Sequence, residues 1–462
     1  MKPTKVTFVT GISGYFVKDL AAVRKSPSYD PLIDNIAPCT PGFNQVVQPG
    51  QVISILLHLP NGQVAVGDCV DVIFSGAANR DPLFIASEHL PLLQSVVQPW
   101  LLNCDITHFR ANSVRIDSGW PELQHTRLHS AIRYGLSQAL LAATACVQNC
   151  PAAEIMAREW GTTIAKQPID ILASCHRNDF LQLDRMIMKQ VAILPHASFL
   201  HVHDLGPEGR TLLQFVEKVS RRVQERGPKG YTPKLHFDVY GTTGDLFPDA
   251  DKLVSFLAKL QAAASPFALL IESPVIAATK EIQIARLADL RRRLRARAVP
   301  VQIVADEWCN TLQDTREFAD AGAVDFVQVK MPDLGAIHNS IDAVLYCRER
   351  GVGCCLGGSA NETDISARMT AHVALATGPD FLLSKPGIGA DEGVMILTNE
   401  MRRTLALAAR MDQNQSWKCF TEKPANCVPA FKSVGDLDQF FRILALVHSI
   451  AGTSISLFSP SL

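Results

Sequence analysis

Several things are missing from this chain of 462 residues, and each absence closes off a class of protein. No Cys-x-x-Cys pair occurs among the twelve cysteines, which are scattered apart from Cys146/Cys150 and Cys354/Cys355. That pattern excludes a stapled secreted framework and fits reduced thiols in the cytoplasm. No run of about 20 apolar residues appears, and the opening MKPTKVTFVTGISGYF lacks the apolar heart of a signal peptide, so neither a membrane span nor export is expected. Neither sign of charge is in excess: 44 basic residues stand against 45 acidic ones, a net charge of -1. No global field then draws the protein to nucleic acid or an acidic membrane, and a small molecule becomes the expected partner. No G-x-G-x-x-G follows the first strand of a βαβ unit, which sets aside a dinucleotide-binding fold.

What is present is globular. Hydrophobic residues make up 47% and charged residues 19%, enough for two or three domains at ~100–200 residues each. Residues 1–165 read as a mixed α+β region: VISILLHL (52–59) and QVAVGDC (63–69) flank Pro60-Asn61-Gly62, a hairpin signal. A helix is expected from Ser130 through Val147. Over 166–410 the rhythm changes to short apolar strands alternating with helices: IDILAS, KLHFDVYG, FALLIESP, VQIVADEW, DFVQVKMP, VGCCLGG and FLLSKPG. An eighth, weaker strand is expected at Ser198–Val202. Strand–helix units of this kind form right-handed crossovers, and eight of them predict a closed (β/α)8 TIM-type barrel. The extension 411–462 reads as a linker followed by one apolar-faced helix at 437–450, too short to span a bilayer.

Polar residues interrupt the strands at their C-terminal ends, where a barrel of this type opens. Asp238, Glu272 and Asp306 recur at equal intervals, one per βα unit, and the next strand carries Gln328 and Lys330. Any one acid after a strand reads as a salt bridge or a helix cap. Three in register, followed by a lysine, point to a site. Three anions in a partly dry mouth repel or protonate unless a hard divalent cation sits among them, and all-oxygen ligation suits Mg2+ better than zinc. Lys330 would then face that cation. At an effective dielectric of ~20, a divalent ion ~5 Å away disfavours an ammonium by roughly 6–7 kcal/mol, against the opposing pull of the carboxylates. A neutral amine there could remove a proton from the carbon beside a carboxylate, the enediolate so formed being stabilised by the cation. A glycosidase reading of the paired acids leaves Lys330 unexplained.

The set Asp238, Glu272, Asp306 and Lys330 resembles the enolase superfamily, whose fold is such a barrel beneath an N-terminal α+β capping domain. The motifs SGAANRDPLF (75–84), RLHSAIRYGLSQAL (127–140), HFDVYGT (236–242), VADEWCNT (304–311), VQVKMPDLG (327–335), GGSANET (357–363) and KPGIGADEG (385–393) resemble the methylaspartate ammonia-lyase family over residues 1–411. The resemblance implies that the three acids bind Mg2+ and that Lys330 removes the C3 proton of (2S,3S)-3-methylaspartate. His196 would serve the opposite C3 epimer; taken alone it is one of three histidines in HASFLHVH, of the sort usually found at a surface. Gln328 would orient a substrate carboxylate. Ammonia would leave from C2, giving mesaconate. A response to a monovalent cation such as K+ and a homodimer are also implied. Four substrate-binding positions depart from the family: Ile73 and Ser174 stand where it has glutamine, and Ser359-Ala360 where it has Thr-Cys. Two lost charge-assisted hydrogen bonds would weaken dicarboxylate binding by ~2–4 decades. Three readings stay open: this lyase, an ammonia-lyase or epimerase acting on another amino acid, and a non-catalytic binding paralogue.

Overall fold

The computed structural model describes residues 1–25, 36–384, 387 and 389–421, with side chains as far as residue 409. The chain divides into two compact units, Met1–Ala408 and Ala409–Leu462. In the second only the end of the helix Ala390–Thr421 is described. That helix covers 411–421, where the sequence reads as a linker. The helix expected at 437–450, and Lys385, Pro386 and Ile388 of the KPGIGADEG motif, lie outside the described residues. Among those described, no helix is long and apolar enough to cross a membrane.

The first unit opens with a three-stranded antiparallel sheet of β1 (Lys5–Lys18), β2 (Val47–His58) and β3 (Val64–Val70), in that order. The hairpin expected around Asn61-Gly62 joins β2 to β3; β1 adds an edge strand that the sequence pattern did not reveal. The helix Ser130–Gln148 lies across this sheet so closely that a Cβ on Gly67 would sit 2.3 Å from the carbonyl oxygen of Gly135. Two facing glycines are what this crossing requires.

Eight parallel strands close the barrel: β4 (Asp170–Leu172), β5 (Ile193–Ser198), β6 (Lys234–Asp238), β7 (Leu269–Glu272), β8 (Gln302–Ala305), β9 (Phe326–Lys330), β10 (Gly353–Gly357) and β11 (Phe381–Leu383). Alternation sorts their side chains. Leu172, Ile193, Leu270, Val304, Phe326, Cys355, Phe381 and Leu383 fill the interior, while Leu235, Phe237, Ile271, Ile303 and Val327 face the helices. Burial of each such side chain contributes about 1.5–3 kcal/mol. Asp179, Asp249, Thr279, Thr311 and Thr363 cap five of the helices that follow strands.

One strand is displaced from its expected place: β5 is Ile193–Ser198, not Ser198–Val202. Its register against β6 slips between Pro195 and Ala197, so His196 is the extra residue of a bulge. A proline and a bulge disrupt the period-2 pattern by which a strand is recognised, and a bulge re-aims the side chain it carries.

Candidate active site

The polar residues at the strand ends share the phase of the interior layer. Asp238 ends β6 and Glu272 ends β7, and the two are level across the strands. Glu272 is also level with Val304, so Asp306 stands higher, through the stagger that barrel closure imposes. Asp238, Glu272, Asp306 and Gln328 are all buried. Lys330 Nζ donates to Asp306 Oδ2 at 2.6 Å, and Gln328 Nε2 to Glu272 Oε1 at 3.1 Å. The bulge turns His196 inward, with Nε2 3.1 Å from Glu272 Oε2. All six residues are thus brought to one mouth. The backbone is strained there as well: His196, Tyr240, Ser273 and Trp308 have φ of 46°, 45°, 49° and 69°, conformations that side-chain-bearing residues hold only where the surroundings impose them.

The three carboxylates do not draw into one tight cluster. Among the described residues the group whose ligand atoms all lie within 4.8 Å is His196, His236 and Glu272, while Asp306 is paired with two cationic side chains. Besides Lys330, its Oδ1 is 3.7 Å from Arg80 Nη2. Arg80 Nε donates to Asp333 Oδ2 at 3.0 Å. The sequence reading missed Arg80, Asp333, Glu307 and His236 as members of the mouth. Glu307 and His236 could have been found, since each adjoins or shares a face with a chosen acid. Arg80 arrives from the capping region, inside the motif SGAANRDPLF, and no strand periodicity points to it.

Burial and crowding set the charges. Burial first, then Glu272, Glu307 and Asp306, push the Asp238 carboxyl well above its usual range. Glu307 is pushed up to about 7 by burial and by Asp306, while its Oε2 accepts the Ser273 hydroxyl at 2.6 Å. Burial pulls the Lys330 ammonium down, but Asp306 overrides it and the net direction is upward. Burial alone suggests the opposite direction. Asp306 itself, against its burial, is held below the carboxylate range by Lys330 and Arg80.

The other substrate-binding candidates are neutral. Ile73 is half-buried and apolar. Ser174 Oγ donates to the carbonyl of His196 at 3.2 Å. Ser359 Oγ donates to the carbonyl of Asp71 at 2.6 Å and accepts from Asn361 N at 3.1 Å. The Ser359 hydroxyl is therefore used within the protein. Ala360 is buried beside it. The capping region grips this loop: Asn361 Oδ1 accepts from Ser13 Oγ at 2.8 Å, Thr363 Oγ1 donates to Asp68 Oδ2 at 2.6 Å, and Tyr134 donates to Glu362 Oε1 at 2.6 Å.

Residues 1–161 match the model for the methylaspartate ammonia-lyase N-terminus and residues 163–410 that for its C-terminus. The chain belongs to the methylaspartate ammonia-lyase family. Methylaspartate ammonia-lyase 1 of Carboxydothermus hydrogenoformans is 43% identical over 89% of this chain and 98% of its own length. The magnesium complex of β-methylaspartase from Clostridium tetanomorphum superposes with a TM-score of 0.83 at 38% identity, covering 89% of this chain and all of that one (100%). The Citrobacter amalonaticus methylaspartate ammonia-lyase containing (2S,3S)-3-methylaspartic acid gives 0.85 at 41% identity, over 88% and 100%. The family places the chain among the carbon–nitrogen lyases, on an enolase-superfamily fold. Residues 411–462 lie outside both family matches.

The donor set fits a hard divalent cation. Asp306 Oδ1, Glu307 Oε1 and Gln328 Oε1 are buried acceptors without a hydrogen-bond partner, and the Asp238 carboxyl cannot ionise readily among its neighbours. A cation held by Asp238, Glu272 and Asp306 would engage the unpartnered Asp306 Oδ1 and offset the repulsion around Asp238.

Proposed function

We propose that this protein is a Mg2+-dependent ammonia-lyase that removes the C3 proton of a 3-methylaspartate-type amino acid and releases ammonia from C2, giving mesaconate from methylaspartate itself. The observation that carries the reading is the contact of Lys330 Nζ with Asp306 at 2.6 Å, in the mouth that also holds Asp238 and Glu272. Asp238, Glu272 and Asp306 would hold Mg2+, which supplies positive charge to offset the charge that develops on the substrate carboxylate. Lys330 takes the C3 proton. The C3–H electron pair becomes the C2=C3 double bond as the C2–N pair departs with ammonia. A base must be neutral, and the Asp306 pair holds Lys330 protonated; sharing Asp306 with a cation weakens that hold. His196, on the bulge, is the base assigned to the opposite C3 epimer, and Gln328 the amide that orients a carboxylate. The working division is a cap over 1–165, a catalytic barrel over 166–410 and an extension over 411–462. A cytoplasmic homodimer that responds to K+ completes the proposal, on the strength of the family resemblance and of the free cysteines among the described residues.

A second reading is favoured by the neutral substrate-binding candidates. Ile73 cannot donate a hydrogen bond, and the hydroxyls of Ser174 and Ser359 are engaged by backbone carbonyls. The same proton abstraction would then act on an amino acid whose second acidic group is absent or differently placed.

The test follows the ultraviolet absorbance of the unsaturated acid while amino acids are offered with and without Mg2+. Mg2+-dependent turnover of methylaspartate that Lys330→Ala abolishes is the expected result. Turnover of a monocarboxylic amino acid alone would transfer the conclusion to the second reading. No turnover of any candidate and no Mg2+ uptake would overturn both and leave a non-catalytic protein.

A further inference from the structure

We propose that His196, His236 and Glu272 form a binding site for a nitrogen-preferring divalent transition ion such as Zn2+, separate from the all-carboxylate position and exclusive of it because both require Glu272. His196 Nε2 and His236 Nε2 lie 3.1 and 3.3 Å from the same oxygen, Glu272 Oε2. The three ligand atoms fall within 4.8 Å of one another, and all three residues are buried. Zinc bonds of about 2.0–2.2 Å in tetrahedral geometry separate neighbouring ligands by roughly 3.3 Å, close to both observed spacings. The imidazoles stack with centroids 5.0 Å apart and planes at 26°, so the rings lie side by side against one carboxylate.

An unsatisfied side chain separates this arrangement from an ordinary hydrogen-bonded histidine. His236 is fully buried, and neither Nδ1 nor Nε2 has a hydrogen-bond partner. His236 Nε2 faces Glu272 Oε2 at 3.3 Å without making a hydrogen bond to it, a spacing that a bound cation would bridge. A metal ion would accept both imidazoles and leave a fourth position open. Two nitrogens and one oxygen suit zinc and its neighbours in the transition series, whereas Mg2+ takes oxygen ligands. The ion would also withdraw His196 and Glu272 from catalysis. That consequence rests on the proposed function; the binding does not.

The experiment titrates the full chain with Zn2+ alone against a chromophoric chelator and records X-ray absorption of the one-equivalent complex. The expected result is one zinc with two imidazole nitrogens in its shell, displaced by excess Mg2+, and inhibiting any Mg2+-dependent turnover. His236→Gln should weaken Zn2+ binding by at least ~10-fold and change Mg2+ affinity by less than about threefold. His236→Asn and a melting curve guard against a variant that misfolds. Sulfur in the zinc shell, a shell without imidazole, or unchanged Zn2+ affinity in a folded His236 variant would overturn the proposal. Zinc held by two imidazoles without inhibition would uphold the site and instead remove His196 and Glu272 from the mechanism.

Discussion

The two sides of the barrel mouth follow different rules. From β6 to β9 the wall carries Asp238, Glu272, Asp306, Glu307 and Lys330, joined by Arg80 and Asp333, all buried or nearly so. From β10 round to β4 it carries Ser359, Ala360 and Ser174, neutral residues, and the two hydroxyls are engaged within the protein. A buried charge is tolerable only with its partners, so the charged side holds together as a unit: removing one member leaves another uncompensated. The neutral positions are not bound in this way. Each can change alone at the cost of a hydrogen bond, and there a specificity can shift while the chemistry persists.

The largest effect is expected at the metal. Chelating Mg2+ should abolish turnover of every substrate. Adding Mg2+ should raise Tm more in the wild type than in Asp238→Asn, where part of the repulsion is already relieved; equal shifts would place the cation elsewhere. Lys330→Ala comes next, with kcat down ~10²–10⁴-fold by the same factor on any acid the enzyme accepts. A loss that varied with the substrate side chain would move Lys330 to the specificity side. The double variant Ile73→Gln, Ser174→Gln sharpens the contrast at the neutral positions: KM for methylaspartate should fall about 10- to 100-fold, since each charge-assisted hydrogen bond is worth about 1.5–3 kcal/mol before the cost of ordering the longer side chains. An unchanged or higher KM would mean that the pocket is built for another acid.

The smallest effect is expected far from both sides and serves as a reference. Glu400 is held at about 2 by its bond to His372 and, against some desolvation, by Arg403. A folded-state pKa below the unfolded one gives stability that is present above about pH 4.5 and lost as pH falls toward 2. Because the site is only half-buried, solvent screening reduces this to about 1 kcal/mol. Glu400→Gln should flatten the dependence of unfolding free energy on pH across that window and leave turnover alone.

Much of the site could be read in advance because strand periodicity is local. Asp238, Glu272 and Asp306 stand in phase with interior residues, and that phase follows from two-residue alternation. Other features resisted. Pro195 and the bulge hide β5, so His196 reads as a loop residue although it lies on a strand. Arg80 meets Asp333 across 253 residues of sequence, and no pattern within a helix or strand encodes such a meeting. Whether the Ser359 hydroxyl is available depends on the carbonyl of Asp71, equally remote along the chain.

By itself, then, the sequence determined the barrel, its family and the identity of the acids and the lysine at the strand ends, since these follow from short-range alternation and from recurring motifs. Only the tertiary structure decided that Asp306 turns to Lys330 and Arg80, that Glu272 faces two imidazoles, and that the serines of the pocket are engaged from within. Those outcomes depend on the stagger of a closed barrel and on the cap that packs over it, and so on distances that no linear order specifies.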